Sequence, residues 1–232
     1  MEKNMTLRSF AIGAMACLGA VASADATTVP FTEEFAADSA NWRDNGSINP
    51  LSWQSSGGPD GSGFARTTFN FQTSTPQGTP ALFRGQQEFG SSGGAFFGNW
   101  NADGVTEVQA YVRHDADRNL TYFGRFASPF GFPAMVGVVP TSVLPNQWTL
   151  ISLPITASSL IAEGPSTFDG VFSDVGRLQF GVAAAPLAGV NRVVTLDLDQ
   201  VRVVPEPATI VLLGVGAWMA MRRRVRRGAF DR

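Results

Sequence analysis

The stretch VTEVQAYVR, residues 105 to 113, places its more apolar side chains at every second position. Successive side chains of a β-strand point to opposite faces, so this period is typical of a strand with one buried face. The face predicted to lie against a core comprises Thr106, Val108, Ala110 and Val112. The opposite face comprises Val105, Glu107, Gln109, Tyr111 and Arg113.

The rest of the central chain also consists of short strand-like runs. Glycine (25 residues) and proline (14 residues) interrupt the chain, and no long stretch keeps the 3.6-residue apolar period of a helix. The other predicted strands are Phe64–Phe71, Leu120–Phe126, Trp148–Ile155, Gly176–Ala183 and Val193–Val204. Short strands separated by turn signals predict an all-β fold, an antiparallel β-sandwich. The sequence has no repeat of about 20 to 50 residues, which a propeller or solenoid would require.

The body of the protein, residues 25 to 204, is long enough for one domain and is acidic. It contains nine arginines, no lysine and sixteen aspartates and glutamates, which gives a net charge of −7. An acidic domain without lysine is a poor ligand for nucleic acid. The one histidine, His114, argues against histidine-based metal catalysis. Its segment, residues 114 to 119, is rich in Asp and Asn and is predicted to be a solvated hairpin turn.

The N-terminal residues have the pattern of a secretory signal peptide, predicted to span residues 1 to 24. Lys3 and Arg8 form the positive region, residues 10 to 21 the apolar region, and Ala22 and Ala24 the small-residue cleavage site. Cleavage by signal peptidase is expected after Ala24. Ala24, Asp25 and Ala26 form a second possible cleavage site two residues further along the chain. The only cysteine lies inside this segment, so the exported chain has no disulfide or thiolate chemistry.

The C-terminal segment, residues 205 to 232, has the pattern of a targeting signal. Val204, Pro205, Glu206 and Pro207 lead into an apolar run from 208 to 221, and five arginines follow within residues 222 to 227. Fourteen helical residues extend about 21 Å, which is short against a hydrocarbon core of about 30 Å. The arginines predict that the tail's end is cytoplasmic and the body lies outside the membrane.

This order of parts resembles the PEP-CTERM sorting tail of bacteria that make exopolysaccharide. The residues that carry the resemblance are Val204, Pro205, Glu206, Pro207, Arg222, Arg223 and Arg224. It implies recognition by an exosortase-type membrane protease, removal of the apolar helix, and release or attachment at the cell surface. The inner membrane would hold the chain only as a sorting intermediate. The alternative is an ordinary C-terminal anchor that stays in place.

The body carries a second resemblance. The segments that carry it are FTEEF (31–35) with Trp42 downstream, GGPDGSGF (57–64), NQWT (146–149) and LDLDQV (196–201). They resemble jelly-roll, galactose-binding-like domains of carbohydrate-binding modules and laminin-type proteins. The resemblance implies a jelly-roll sandwich between the signal-peptide helix and the C-terminal hydrophobic helix. Its implication of sugar binding is weaker, because one fold hosts many functions.

The last predicted strand changes phase. Leu196 and Leu198 share one phase and Val201 and Val203 the other, which predicts a bulge near Asp199. The jelly-roll resemblance implies a structural Ca²⁺ held by Asp199 and by Glu33 or Glu34, with loop carbonyls completing the shell. The alternative is that Asp197 and Asp199 face solvent at a sheet edge.

Two phenylalanine-rich segments are candidates for glycan contact, because sugars stack their apolar faces on exposed rings. Most of the eighteen phenylalanines are predicted to fill the core. The residues singled out as exposed candidates are Trp100, Phe130 and Phe132.

Two enzyme-like patterns predict no catalytic site. Residues 90 to 94 match G-x-S-x-G, but no helix follows them, so a loop is predicted. Glu33 and Glu34 would point to opposite faces of a strand and cannot flank one bond. The favoured function is therefore a non-enzymatic cell-surface or matrix protein that contacts exopolysaccharide. The alternatives are a carbohydrate-binding module with defined specificity and, less favoured, a secreted glycan hydrolase.

Overall fold

A computed structural model describes residues 27 to 206, and they form two antiparallel β-sheets packed as a sandwich. The eleven strands of this region are β1 (Phe31–Glu33), β2 (Ser52–Gln54), β3 (Phe64–Asn70), β4 (Ala81–Gln86), β5 (Val105–His114), β6 (Leu120–Ala127), β7 (Ala134–Val143), β8 (Thr149–Pro154), β9 (Leu160–Glu163), β10 (Arg177–Val182) and β11 (Val193–Pro205). The region also has three short 3-10 helices (Phe71–Thr73, Gln87–Phe89 and Ser91–Gly94) and one short α-helix, α1 (Phe168–Phe172). The Thr167 hydroxyl caps α1 by accepting from Gly170 N.

Sheet 1 has the strand order β2-β3-β11-β5-β8, and β1 also pairs with β11. Sheet 2 has the order β4-β10-β6-β7-β9. The chain passes repeatedly from one sheet to the other, as in a jelly roll. Among residues 27 to 206, no helix has the length and hydrophobicity that a membrane crossing requires.

The predicted all-β fold is confirmed, and all six predicted strands are present to within one residue at each end. The sequence analysis gave no bounds for β1 or β2, although it placed Glu33 on a strand, and it did not reveal β4, β7 and β9. Strand β4 is buried on both faces along most of its length and so shows no alternation. Strand β7 contains a glycine and a proline, residues that weaken a strand signal. The predicted signal peptide with Ala22 and Ala24, and the helix 208–221 with Arg222, Arg223 and Arg224, lie outside the described residues.

Aromatic residues fill much of the core between the sheets. Trp42 is buried, stacks on Phe180 and donates its indole N–H to Ser92 Oγ at 2.8 Å. Trp100 is also buried, and its indole N–H donates to Phe96 O at 2.7 Å. The prediction that Trp100 is an exposed glycan contact is therefore wrong: its ring is core.

His114 is not a solvated turn residue. It ends β5 in the phase of Val108, Ala110 and Val112, and it is buried. Its Nε2 lies 3.1 Å from Val143 O, so Nε2 donates, and burial lowers the imidazole pKa. The residue is a neutral part of the core, and the alternation of β5, extended by one residue, was the signal for it.

Candidate functional site

The bulge predicted in the last strand is present and aims Asp199 outward from sheet 1. Along β11, Asp199 pairs with Tyr111 and Arg202 with Gln109, so β11 has one extra residue at this point. Gln200 adopts a φ of 46°, in the left-handed region. Leu198 before the bulge and Val201 after it are both buried in the core.

Asp199 is fully buried although it is on the outer face, at 0% exposure. Its Oδ1 accepts from Gln200 N at 2.7 Å, while Oδ2 has no hydrogen-bond partner within the described part of the chain. Burial raises the pKa of Asp199 to about 7, and the charges of Asp60, Glu34 and Glu33 add to the effect. The alternative of a solvated edge aspartate is wrong, because β11 is a central strand.

The glycine-rich segment 57 to 63 covers this carboxylate. Gly58 N donates to Ser62 O at 2.9 Å and closes the turn. A Cβ on Gly58 would lie 2.6 Å from Asp199 Oδ2, so only glycine allows the backbone to approach so closely. Asp60, within the turn, accepts from Ser62 N at 2.9 Å.

The predicted Ca²⁺ ligands lie in one region of the surface. Glu33 Oε1 accepts from Phe35 N at 2.9 Å, and Glu34 is exposed. Partial burial and the charges of Asp60 and Glu33 raise the pKa of Glu34. In residues 27 to 206, no three Asp, Glu, His or Cys side chains converge closely enough to hold a metal ion by themselves. The buried, unpartnered Asp199 oxygen still fits a hard cation that backbone carbonyls help to bind.

Asp197, two residues earlier, joins three strands of sheet 1 through ion pairs. Arg66 on β3 binds it through Nε at 2.7 Å, and Arg113 on β5 binds it through Nη2 at 2.8 Å. The Arg113 guanidinium also lies 4.5 Å from the centre of the Trp148 ring. The Asp197 carboxylate is thus neutralised by an arginine on each side, and Asp197 has a structural role.

The outer face of sheet 2 holds a groove of about 370 Å³. Arg84, Gln179, Arg125 and Val136 are register partners on four adjacent strands and cross its floor. Arg125 binds Glu163 with two N–H groups at 2.9–3.0 Å. Gln179 Oε1 accepts from Arg125 Nη1 at 3.4 Å, while its buried Nε2 has no partner among the described residues.

Two exposed phenylalanines lie on the loop beside this groove. Phe130 is 93% exposed and Phe132 62% exposed. The loop is attached to the groove, because Arg125 donates to Gly131 O at 2.9 Å and its guanidinium lies 5.5 Å from the Phe132 ring centre. Phe130 and Arg177 line a second cavity of about 390 Å³ on the same side. The prediction that Phe130 and Phe132 are exposed is confirmed.

The sequence analysis did not select the polar residues of the groove. Their signal was weak: Arg177 and Gln179 occupy alternate positions of a strand that is otherwise apolar. The G-x-S-x-G segment, in contrast, is confirmed as irregular. Ser92 has a φ of 52°, and its hydroxyl accepts the Trp42 indole N–H.

The fold and these sites define the class as an all-β sandwich domain with an open polar groove, joined directly to a C-terminal signal. That signal matches the PEP-CTERM protein-sorting motif over residues 203–227. The chain therefore carries a PEP-CTERM sorting tail, which implies export, surface sorting and exosortase-dependent processing. The motif begins inside β11, where Val204 pairs with Glu107 and Glu206 N donates to Gly104 O at 2.9 Å.

Solved structures similar to this chain include carbohydrate-binding modules. One comprises the CBM22-1 and GH10 modules of Clostridium thermocellum xylanase 10B complexed with xylohexaose, at 14% identity and a TM-score of 0.47, covering 78% of this chain and 29% of that one. Another is the family 11 module of cellulase Lic26A-Cel5E of the same organism, at 12% identity and a TM-score of 0.46, covering 78% and 96%. This chain thus spans less than a third of the xylanase. No curated protein matches the sequence.

Proposed function

We propose that this chain is an exported, non-enzymatic protein of the cell surface or extracellular matrix that binds exopolysaccharide through sheet 2. Signal peptidase would cleave the N-terminal segment and an exosortase the C-terminal tail. The chain would be held in the inner membrane only as a sorting intermediate. The observation that carries the binding proposal is the pair of exposed phenylalanines beside a polar groove. Large apolar groups held in solvent next to hydrogen-bonding groups are typical of a ligand surface.

The groove favours binding over hydrolysis. A glycosidase needs a carboxyl that is free to give or take a proton and a second carboxylate opposite it. Glu163, the carboxylate that lines the groove, is bound by two N–H groups of Arg125. Its oxygens are therefore occupied by Arg125, and no second carboxylate lines the groove among the described residues. A carbohydrate-binding module with one defined glycan remains the second reading of the same surface.

The double substitution Phe130→Ala and Phe132→Ala is expected to weaken binding of exopolysaccharide purified from the native host at least about tenfold. The reason is loss of two ring surfaces on which sugar rings would stack. Biolayer interferometry on immobilised polysaccharide measures the affinity. Leu150→Ala, which removes an exposed apolar side chain from sheet 1, is the matched control and should change nothing. Equal affinities for the parent and the double variant would remove this loop from the binding surface.

We also propose that Asp199, with Glu33 or Glu34 and carbonyls of the 57–63 segment, holds a structural Ca²⁺. The ion would neutralise the buried carboxylate and join β1, β11 and this segment. Because it would bind only the folded chain, it would stabilise the sandwich.

Both ends of the chain are expected to be removed in the native host. The intact mass of the protein from envelope or culture medium should correspond to a chain that starts near Asp25 and ends near Pro205–Pro207. A mass that still includes Arg222, Arg223 and Arg224 would make the tail a permanent anchor. In that case the sorting part of the proposal fails.

A further inference from the structure

We propose that the groove on sheet 2 takes a glycan that carries carboxylates, and that Arg84 and Gln179 bind one carboxylate together. This inference rests on the proposed function, because it names the class of sugar that the same surface would bind.

Arg84 is the groove cation without a counter-ion. Among residues 27 to 206, no carboxylate oxygen lies within 4.0 Å of its guanidinium, whereas Arg125 has Glu163 at 2.9 Å and Arg177 has Glu88 at 3.6 Å. The partners of Arg84 are neutral: Ala81 O at 3.3 Å and Ser47 Oγ at 3.4 Å. Burial and the charges of Arg125 and Arg177 lower the pKa of Arg84, and the charge of Asp44 opposes them only in part. A bound anion would compensate the burial of the Arg84 charge and its repulsion by Arg125 and Arg177.

Gln179 supplies a second unused donor next to Arg84. A guanidinium has only donors, so the amide oxygen of Gln179 must face Arg125, and this leaves Nε2 as the free end. That nitrogen is buried and lacks a partner in the described region. Gln179 and Arg84 are direct register partners on β10 and β4. Side chains in such positions start about 5 Å apart.

A carboxylate matches this pair better than a sugar hydroxyl does. Its two oxygens accept from two donors at once and bring the missing negative charge. The body as a whole carries a net charge of −7, so general attraction does not favour a polyanion. Recognition must therefore come from local contacts in the groove. The adjacent Phe130 and Phe132 would contribute ring surface without choosing between acidic and neutral sugars.

The test compares native exopolysaccharide of the host with the same material after chemical reduction of its carboxyl groups. Full-length protein, in a detergent without a sugar headgroup and in EDTA, is measured by biolayer interferometry. We expect reduction to weaken binding at least about tenfold, and Arg84→Gln to weaken binding of the native polymer similarly. Arg118→Gln, an exposed arginine paired with Asp117, is the matched control and should bind like the parent.

Gln179→Glu keeps the test informative if Arg84→Gln misfolds. The new carboxylate would sit between Arg84 and Arg125, the two register partners of Gln179, and would occupy the anion position itself. We expect this variant to melt at the parent's temperature or above and to lose binding of the native polymer.

Three outcomes separate this inference from the proposed function. Equal binding of native and reduced polymer would overturn the inference that the groove binds a carboxylate, and would leave the proposal of glycan binding intact. Binding that survives reduction but is lost in Arg84→Gln would keep Arg84 in the glycan site with a ligand other than a carboxylate, and would also overturn the inference. No binding of either polymer would overturn the proposed function, and this inference with it.

Discussion

Saturating Ca²⁺ is expected to raise the melting temperature of the full-length protein by about 10 °C, and EDTA to reverse the change. An ion at about a thousand times its dissociation constant stabilises the folded state by about 4 kcal/mol. For a chain of this size each kcal/mol moves the melting temperature by about 2–4 °C. Differential scanning fluorimetry measures the change. Asp199→Asn should abolish the response, and Asp174→Asn, an exposed carboxylate away from the site, should preserve it.

The same carboxylate makes the response depend on pH. The pKa of Asp199 is about 7 in the folded chain and near 3.8 when unfolded. The folded state therefore binds the extra proton, and the metal-free protein loses stability as pH rises from about 4 to about 7. The Ca²⁺ ion binds the ionised form, so the Ca²⁺-induced gain should be larger at pH 8 than at pH 5. A melting temperature unmoved by Ca²⁺ and EDTA at both pH values would sink the calcium proposal.

Asp197→Asn is expected to destabilise the sandwich by about 3 kcal/mol, or roughly 10 °C of melting temperature. The change removes the one anion between Arg66 and Arg113, which then face each other across β11 as half-buried cations. Breaking a buried ion pair by removing one partner leaves charge without compensation, which is why the loss is large. Urea unfolding of the metal-free protein measures it without interference from Ca²⁺.

Asp117→Asn is the matched control for Asp197→Asn. It breaks the Arg118–Asp117 pair, whose side chains are both exposed, so water and salt screen the interaction and the loss of stability should be small. If Asp197→Asn lost no more stability than Asp117→Asn, the three-strand ion pair would have no structural role. The Asp197 carboxylate, on the outer face of sheet 1, would then contribute no more to stability than an exposed carboxylate does.

The sequence predicted the elements that have a local signal. Strand β5 was predictable from the alternation of apolar and polar residues, because one of its faces is buried and the other is not. The bulge near Asp199 was predictable for a related reason: Leu196 and Val201 both had to face the core from one strand. Phe130 and Phe132 were predicted to be exposed because Pro129, Gly131 and Pro133 mark their segment as a loop.

The wrong predictions concerned residues whose environment comes from other strands. Trp100 occurs in a glycine-rich segment and looked exposed, but Phe126 and Phe172 pack against its ring from distant parts of the chain. His114 looked like turn because polar residues follow it, yet Tyr122 and Val143 enclose it. Burial of a single side chain depends on such contacts and has no period in the sequence.

By itself the sequence determined the C-terminal sorting motif, the all-β class and most of the longer strands, because these depend on composition, on short motifs and on local periodicity. Only the tertiary structure decided which polar groups meet. It set Arg84 beside Gln179 and closed the 57–63 segment over Asp199. The physical reason is that antiparallel pairing joins residues about a hundred positions apart. Register and packing, rather than sequence distance, therefore determine which charges find a partner and which are left for a ligand.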